Sequence, residues 1–208
     1  MVSYYGVKLR DCTLGYKLTK DNFITNSNKS GLNPGKTLSE TECQNYIKRA
    51  EKNYDYNMQF FSRLDKEGFN KTVLQLCDQE GFESVLDLSS YNNKSGYYMM
   101  VMDEYCQLYI GCSINLKKRI MRHWSDIVPL DRVVFWSPKV SKMSIDSFRA
   151  FDTTRIYILL ADKKDFENNE DRYIEKIPEE YLINRTKGGK LGASDAIKHI
   201  KTRNFNQK

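Results

Sequence analysis

Residues 96–124, "GYYMMVMDEYCQLYIGCSINLKKRIMRHW", concentrate side chains that can do chemistry. Tyr98 and Tyr109 supply phenolic hydroxyl groups that can exchange protons. Further along, Arg119 supplies a permanent cation and His123 a ring that titrates near neutral pH. A hairpin packed on an amphipathic helix would explain this pattern without catalysis, and an active site built on the same hairpin would explain it too. The stretch alone therefore leaves both interpretations open.

A second candidate is Glu170, a carboxylate at the centre of an apolar stripe on a predicted helix. The stripe consists of Phe166, Tyr173, Ile174 and Ile177. A carboxylate on a buried face costs free energy unless it is paired with a basic group or binds a cation. Glu170 therefore indicates either a cation site or a structural ion pair, for example with Arg172.

The surrounding segments predict the order strand, strand, helix, strand, helix. The segments "YYMMVM" and "CQLYIG" predict a hairpin with its turn at "DE". Side chains alternate along a strand, so Tyr98, Met100 and Met102 share one face. Tyr109 and Gly111 share a face of the second strand. Residues 153–161, "TTRIYILLA", are β-branched and apolar and predict the clearest strand of the chain.

The segment "INLKKRIMRHW" predicts the helix that follows the hairpin. Its apolar stripe consists of Leu116, Ile120 and Trp124. Arg119 and His123 are i,i+4 neighbours at the margin of this stripe, where side chains can point into a cleft. Lys117, Lys118 and Arg122 are placed towards solvent on the same helix. An alternative for His123 is a purely structural role, packed against Trp124.

The ordered set of motifs resembles the GIY-YIG nuclease family. Two triplets, Gly96-Tyr97-Tyr98 and Tyr109-Ile110-Gly111, are separated by ten residues, and Arg119 follows eight residues after the second glycine. The series continues with His123, with Glu170 in the context "EDRYI", and with Asn184 in the context "NRTKGG". The chain departs from the family pattern at Tyr97, where isoleucine or valine is usual. The segment between the predicted helix and the third strand has no clear counterpart in the family.

The resemblance implies an α+β fold: a small three-stranded, mainly antiparallel sheet flanked by helices and preceded by a mostly helical N-terminal region. It implies one Mg²⁺ (or Mn²⁺) ion per site, held by Glu170. Arg119 would grip the scissile phosphate. Tyr98 or Tyr109 would activate or position the attacking water, and His123 would assist. An unperturbed phenol has a pKa near ~10, so nearby cations must lower that value.

The activity implied by the resemblance is that of a metal-dependent DNA endonuclease from a mobile-element, phage, restriction or defence setting. Double-stranded DNA is the expected partner, and a homodimer would allow double-strand cleavage because one site nicks one strand. The predicted nucleic-acid contacts are Lys117, Lys118, Arg122, Asn184, Arg185 and Lys187. The alternative is a nucleic-acid-binding module without cleavage. The retained Arg119 and Glu170 favour the enzyme, because binding alone does not require a carboxylate facing a polyanion.

The composition limits the classes of protein to which this chain can belong. Hydrophobic residues make up 40% of the 208, enough to build a core. The formal net charge is +6, and residues 96–208 carry 20 basic and 15 acidic side chains, which suits a polyanionic partner or simple solubility. No apolar run approaches the ~20 residues that span a bilayer, and no secretory signal is found, so we expect no membrane partner and a cytoplasmic location. The five scattered cysteines fit reduced thiols.

The chain is predicted to divide at the turn cluster "SSYNNKSG". Residues 1–92 form a mostly helical region with a possible role in DNA binding or dimerisation. Residues 93–192 form the nuclease-like domain, and residues 193–208 a basic tail. In the first region, Ser39 and Glu42 predict a capping box that starts a long helix with its stop near Gly68. Shorter helices are predicted around 69–77 and 82–88.

Overall fold

The computed structural model describes residues 2–10, 15–25, 39–125, 143–166 and 169–184, and these residues form an α+β fold. The helices are α1 (Lys20–Thr25), α2 (Glu40–Phe61), α3 (Lys66–Glu80), α4 (Leu116–Ser125) and α5 (Asn169–Glu175). The strands are β1 (Ser3–Tyr4), β2 (Val7–Lys8), β3 (Glu83–Val85), β4 (Gly96–Met102), β5 (Gln107–Ser113) and β6 (Arg155–Leu160). Strands β1 and β2 form a separate two-stranded sheet.

The main sheet has four strands in the order β3-β6-β4-β5, and all its pairings are antiparallel. The predicted three-stranded sheet is therefore wrong by one strand. The additional strand is β3, in which Val85 pairs with Ile156. It falls in the segment 82–88, which the sequence predicts to be helical. Phe82, Val85 and Leu88 are buried at a spacing of three, but a short strand and the turn after it produce this spacing.

The predicted hairpin is confirmed as strands β4 and β5. Its register places Tyr98 opposite Gly111 and Met100 opposite Tyr109. The strands are joined by a 3-10 turn over Asp103–Tyr105. On its other side β4 pairs with β6, and a Cβ atom added to Gly96 would lie 3.0 Å from the Leu160 Cα. The first motif glycine therefore allows the β6 backbone to approach this closely.

The two faces of the main sheet carry separate hydrophobic cores. Tyr98, Met100 and Met102 point to the first face, as alternation predicts, and pack with side chains of α1, α2, α4 and the β1–β2 hairpin. Alternate residues of β4 point to the second face and pack with α3 and α5. Residues from the predicted N-terminal region therefore contribute to both cores. The division of the chain at residue 92 stays a prediction.

The first long helix starts as its sequence predicts and ends earlier. The Ser39 backbone N–H donates to Glu42 Oε2 at 2.9 Å, and the Glu42 N–H donates to Ser39 Oγ at 3.3 Å, which completes the predicted capping box. The predicted stop at Gly68 is wrong, because α2 ends at Phe61 and Gly68 lies inside α3. The Asp65 carboxylate accepts from the Glu67 N–H at 3.0 Å and starts this second helix.

The N-terminal hairpin supports the end of α4. The Tyr4 hydroxyl donates to the Thr153 carbonyl oxygen at 2.7 Å, and the Tyr4 and Trp124 rings lie 6.0 Å apart. The Trp124 indole N–H donates to Thr153 Oγ1 at 3.0 Å. These contacts fix the last turn of α4, which also carries His123.

Two further observations concern the described part of the chain. None of its helices has both the length and the apolar composition needed to cross a membrane. Its cysteines, Cys43, Cys77, Cys106 and Cys112, carry free thiols. Burial raises the pKa of the Cys77 thiol to about 11, so this thiol is protonated at neutral pH.

Candidate active site

Helix α4 presents two of the predicted site residues to the β4–β5 hairpin. The Asn115 side chain accepts from the Lys118 N–H at 3.0 Å and caps the start of the helix. The predicted apolar stripe of the helix is buried throughout. Its burial places Arg119 half-buried at the margin and His123 inside the protein, where 1% of the residue is exposed. The position of Arg119 agrees with the prediction from helical spacing, and His123 lies deeper than a marginal position.

His123 lies at the centre of a buried polar group. Its Nε2 is 2.7 Å from the Tyr98 hydroxyl oxygen, and its Nδ1 is 2.5 Å from Asp146 Oδ1. The Tyr109 ring packs edge-on against the imidazole, with 5.1 Å between the ring centroids. Trp124, the predicted packing partner of His123, has its ring against Tyr4 instead. The imidazole is therefore positioned by polar groups on both of its nitrogen atoms.

Gly111 makes room for the Tyr98 ring. A Cβ atom added at position 111 would lie 2.6 Å from Tyr98 Cζ and 2.9 Å from Tyr109 Cε1, and it would collide with the Tyr98 hydroxyl oxygen. The second motif glycine is therefore required by the tyrosine that faces it across the hairpin. Without a side chain at this position, both tyrosines fit on the same face of the sheet.

Glu170 approaches β5 from the other face of the sheet. The predicted stripe of α5 is confirmed, since Tyr173 and Ile174 are buried in the second core. Glu170 is half-buried, and its Oε2 accepts from the Cys112 thiol at 3.2 Å. The alternative ion pair with Arg172 is not formed, because Arg172 donates to Glu80 at 2.8 Å. Among the described residues, no basic side chain lies within ion-pair distance of Glu170.

These groups act on one another electrostatically. Burial raises the pKa of Tyr98 well above its ordinary value, and Arg119 opposes the rise. Burial also raises the pKa of Tyr109 to about 12; Glu170 adds to this rise, while Arg119 and a hydrogen bond with Tyr98 oppose it. The expectation that nearby cations lower the pKa of these tyrosines is therefore wrong: Arg119 acts in that direction, but burial outweighs it and both pKa values are raised.

Arg119 and Glu170 carry the opposite charges of the site. Burial opposes the charge of Arg119, but the two tyrosines and Asp146 raise its pKa overall, so the guanidinium stays protonated. Burial raises the pKa of Glu170, while the Cys112 thiol and Arg119 act in the opposite direction. Among the residues that the structure describes, the charge of Glu170 is therefore only partly compensated.

A single carboxylate of this kind fits a magnesium or manganese ion. Such ions are bound through one or two carboxylates and keep several water ligands. Glu170 has the required oxygen atoms, it lacks a basic partner among the described residues, and its charge is disfavoured by burial. Within the same residues, no group of three or more His, Cys, Asp or Glu side chains is arranged to hold a metal. The single carboxylate therefore fits an ion that keeps water molecules as most of its ligands.

Asn184 binds the backbone of β5, and its nucleic-acid contact stays a prediction. Its side-chain Oδ1 accepts from the Ile110 N–H at 3.1 Å, and its Nδ2 donates to the Ile110 carbonyl oxygen at 2.8 Å. Only 5% of the residue is exposed. Both ends of the amide therefore complete the backbone hydrogen bonds of β5 between the two motif residues Tyr109 and Gly111.

We expect Asn184→Ala to destabilise the protein without weakening DNA binding. The substitution leaves a buried N–H and a buried carbonyl of Ile110 without their partner, at a cost of about 1–3 kcal/mol for each group. Urea denaturation measures the loss of stability, and a DNA-binding titration of the folded variant measures affinity. Asn184→Asp keeps one acceptor but sets a buried carboxylate oxygen against the Ile110 carbonyl oxygen, so it should lose at least as much stability as alanine. If Asn184→Ala left stability unchanged but weakened DNA binding, Asn184 would be a nucleic-acid contact.

The remaining predicted nucleic-acid contacts divide into two groups. On α4, Lys118 and Arg122 are exposed on the outer side of the helix, which agrees with the prediction that they face solvent. Lys117, which was predicted to do the same, is half-buried. Their charges border the side of the helix that carries Arg119. Arg185, Lys187 and the tail 193–208 lie outside the described residues, so their assignments stay predictions.

The structure brings Tyr98, Tyr109, Arg119 and His123 together on one face of the sheet and places Glu170 against β5 from the other face, where it acts electrostatically on Tyr109 and Arg119. It adds two residues that the sequence did not indicate, Asp146 and Cys112. Cys112 directly follows the second motif triplet, and its position on the opposite face from Tyr109 follows from strand alternation. Asp146 lies in a segment without periodicity, and no spacing relates it to His123. Comparisons with protein families, with curated proteins and with solved structures find no match to this chain, so the family resemblance stays an expectation.

Proposed function

We propose that this protein is a metal-dependent endonuclease that hydrolyses phosphodiester bonds in DNA. The proposal is supported mainly by two sets of side chains around β5: one that can activate a water molecule and one that can stabilise charge on a phosphate. A tyrosine hydroxyl bonded to a buried imidazole supplies the first, and Arg119 with the half-buried Glu170 supplies the second. The grouping gives each side chain a task in the hydrolysis of one bond.

Arg119 is proposed to bind the scissile phosphate. Its guanidinium group is half-buried beside the two tyrosines and remains protonated. A planar guanidinium can donate two parallel hydrogen bonds to a phosphate, and it stabilises the negative charge that increases in the transition state. Lys118 and Arg122 on the same helix would hold the neighbouring backbone of the nucleic acid.

Tyr109 and Tyr98 are proposed to carry a proton away from the attacking water. Tyr109 is partly exposed, whereas Tyr98 is fully buried and has His123 as its partner. The two tyrosine rings pack side by side on the same face of the sheet, with 6.0 Å between their centroids. Water can therefore meet Tyr109 at the surface, while the proton acceptor lies inside beside Tyr98. This arrangement gives each of the two candidates for the base a separate place, Tyr109 towards water and Tyr98 towards His123.

Glu170 would hold a single Mg²⁺ or Mn²⁺ ion through its carboxylate. When bound, the ion supplies positive charge for the phosphoryl oxygens and for the leaving 3′-oxygen. The Cys112 thiol orients the carboxylate by donating to one of its oxygens. Glu80 stabilises the helix that carries Glu170, since it pairs with both Arg172 and Lys176 and so ties α5 to the end of α3.

The proposed substrate is double-stranded DNA. One site nicks one strand, so a double-strand break requires a homodimer or two successive visits. The activity would suit a mobile-element, phage, restriction or defence protein acting in the cytoplasm. The competing function is DNA binding without cleavage. The half-buried Glu170 argues against it, because a carboxylate next to the binding surface repels a polyanion unless a cation lies between them.

The proposal predicts that the wild-type protein nicks supercoiled plasmid when Mg²⁺ is present and not when EDTA removes it. Glu170→Ala should cut at least about 100-fold more slowly, because the lost ion supplies several kcal/mol of transition-state stabilisation. Conversion of supercoiled to open-circular plasmid, followed on a gel at several salt and metal concentrations, measures both effects.

A matched control is Glu175→Ala, which removes an exposed carboxylate from the same helix. It should cut like the wild type. Wild-type protein that binds plasmid but leaves it intact under all conditions would support the binding-only function. Equal cutting by wild type and Glu170→Ala would show that the metal is held elsewhere.

A further inference from the structure

His123 has a second polar partner that belongs to none of the recognised motifs. Asp146 lies in a 3-10 turn over Ile145–Ser147, and its Oδ1 is 2.5 Å from His123 Nδ1. The Ser144 hydroxyl accepts from the Asp146 N–H at 3.4 Å and fixes the start of this turn. The turn also contributes Ile145 to the first core, so the carboxylate is held by a packed element.

The two hydrogen bonds of His123 determine which ring nitrogen carries the proton. The Asp146 side chain is 31% exposed, and a carboxylate in contact with water is ionised at neutral pH. An ionised carboxylate only accepts hydrogen bonds, so His123 Nδ1 must donate to it. In the neutral ring Nε2 is then an acceptor, and it faces the Tyr98 hydroxyl at 2.7 Å. The tautomer set by Asp146 is thus the one that can take a proton from Tyr98.

Because His123 is buried, a protonated ring needs the negative charge of the Asp146 carboxylate. His123 is 1% exposed, and a protonated imidazole in such a place is costly unless an opposite charge is in contact with it. The other groups that face the ring are Tyr98, Tyr109 and, on its own helix, Arg119, none of which carries a negative charge in the resting protein. Asp146 is therefore the group that stabilises a positive charge on the ring.

We propose that Asp146 is a positioning residue of the active site, which holds His123 as the proton acceptor for Tyr98. This inference rests on the proposed nuclease function. The hydrogen-bonded series then runs from Tyr98 through His123 to Asp146, and the partly exposed Tyr109 packs beside Tyr98. It resembles the arrangement in which a carboxylate orients a histidine base towards a hydroxyl group.

The proton transfers in this relay balance. As the water oxygen forms its bond to phosphorus, the tyrosine pair takes up its proton, and the Tyr98 proton passes to His123 Nε2. The bond from phosphorus to the 3′-oxygen breaks, and that oxygen takes a proton from solvent. His123 holds one extra proton, whose charge Asp146 balances, until the proton returns to solvent by the same path.

The test compares Asp146→Asn with Asp146→Glu and Ser144→Ala. Asp146→Asn should lower kcat for plasmid nicking by roughly 10²–10⁴-fold with little change in KM, because the loss lies in proton transfer and not in binding. Asp146→Glu keeps the charge and should recover part of the rate. Ser144→Ala removes the hydroxyl that holds this turn and that donates to Asp146 Oδ2 at 3.5 Å, but it keeps the carboxylate, so it should lose less of the rate than Asp146→Asn.

The pH dependence separates positioning from a general structural effect. The relay needs His123 without its extra proton, so the rate falls at acidic pH. Asp146→Asn removes the charge that stabilises the protonated ring, so the acidic limb of the kcat profile should move to lower pH. A lower rate with an unmoved acidic limb, or a wild-type rate and profile, would overturn the proposal.

A measurement without substrate distinguishes this proposal from the proposed function. The chain contains only two histidines, so the ¹⁵N signals of the His123 ring can be assigned with a His199→Gln variant. In the wild type the proton should be on Nδ1, and Asp146→Asn should lose this preference. If the tautomer is unchanged by Asp146→Asn, the positioning role is wrong. If the wild type cuts no DNA but the tautomer depends on Asp146, the nuclease function fails while the positioning of His123 stands.

Discussion

Glu170→Gln is expected to abolish cleavage and, in the same protein, to raise the melting temperature. Burial raises the pKa of Glu170, so the folded state disfavours its charge. Glutamine has nearly the same shape without the charge, and it cannot serve as an anionic ligand. We expect at least about 100-fold slower nicking and a higher melting temperature in EDTA at neutral pH. Residues that hold a site in a strained or charged state often trade stability for activity in this way.

The gain in melting temperature of Glu170→Gln over wild type should become smaller as the pH falls. Because the pKa of Glu170 is higher in the folded protein than in the unfolded chain, its charge costs stability at pH values above the folded pKa. Below the ordinary pKa of glutamate both states are protonated and the cost disappears. The difference in melting temperature between Glu170→Gln and wild type should therefore be present at neutral pH and shrink as the pH falls through this window.

Magnesium provides the complementary measurement. An ion that binds the folded state stabilises it by mass action, so Mg²⁺ should raise the melting temperature of the wild type and not that of Glu170→Gln. Glu175→Gln, which changes an exposed carboxylate on the same helix, should respond like the wild type. A Glu170→Gln protein that is less stable than wild type in EDTA would show that the carboxylate is a structural partner and not a ligand waiting for a cation.

The second large effect is expected from Gly111→Ala. Position 111 lies in a regular strand, so alanine meets no backbone restriction, and the effect comes from the collision of its Cβ with Tyr98 and Tyr109. Overpacking of this kind costs about 1–3 kcal/mol. The displaced Tyr98 hydroxyl loses its bond to His123, so cleavage should fall at least about tenfold as well. Urea denaturation and the plasmid assay measure the two losses.

A double variant identifies the colliding group. Tyr98→Phe removes the hydroxyl oxygen, which is the atom nearest to the added Cβ, so Gly111→Ala should cost less stability in this background than in the wild type. Cleavage should stay low in the double variant because the hydroxyl group is absent. Equal stability costs in both backgrounds would show that Tyr98 does not set the requirement for glycine.

The sequence predicted the parts of the site that depend on local periodicity. Strand alternation placed Tyr98, Met100 and Met102 on one face of their strand, and helical spacing placed Arg119 at the margin of helix α4. Both are confirmed because each pattern is anchored by several buried side chains in an element at least seven residues long. The apolar stripe around Glu170 is confirmed for the same reason.

The features that the sequence analysis predicted wrongly or missed depend on contacts between residues distant in sequence. A three-residue strand such as β3 has too few residues for a period, and β6 determines its conformation by pairing with it. The Asp146 carboxylate meets His123 only after the chain has left α4 and returned, and no local pattern encodes this contact.

The amide of Asn184 also bears on how copies of this protein behave towards one another. Strand β5 is an edge of the main sheet, and the unpaired backbone groups of an edge strand are a template for the strand of another molecule. Here Ile183 donates to Leu108, Leu182 bridges to the same residue, and Asn184 occupies both polar groups of Ile110. This segment closes the edge beside Tyr109 and Gly111. The strand that carries half of the proposed site is thereby shielded from aggregation through edge pairing.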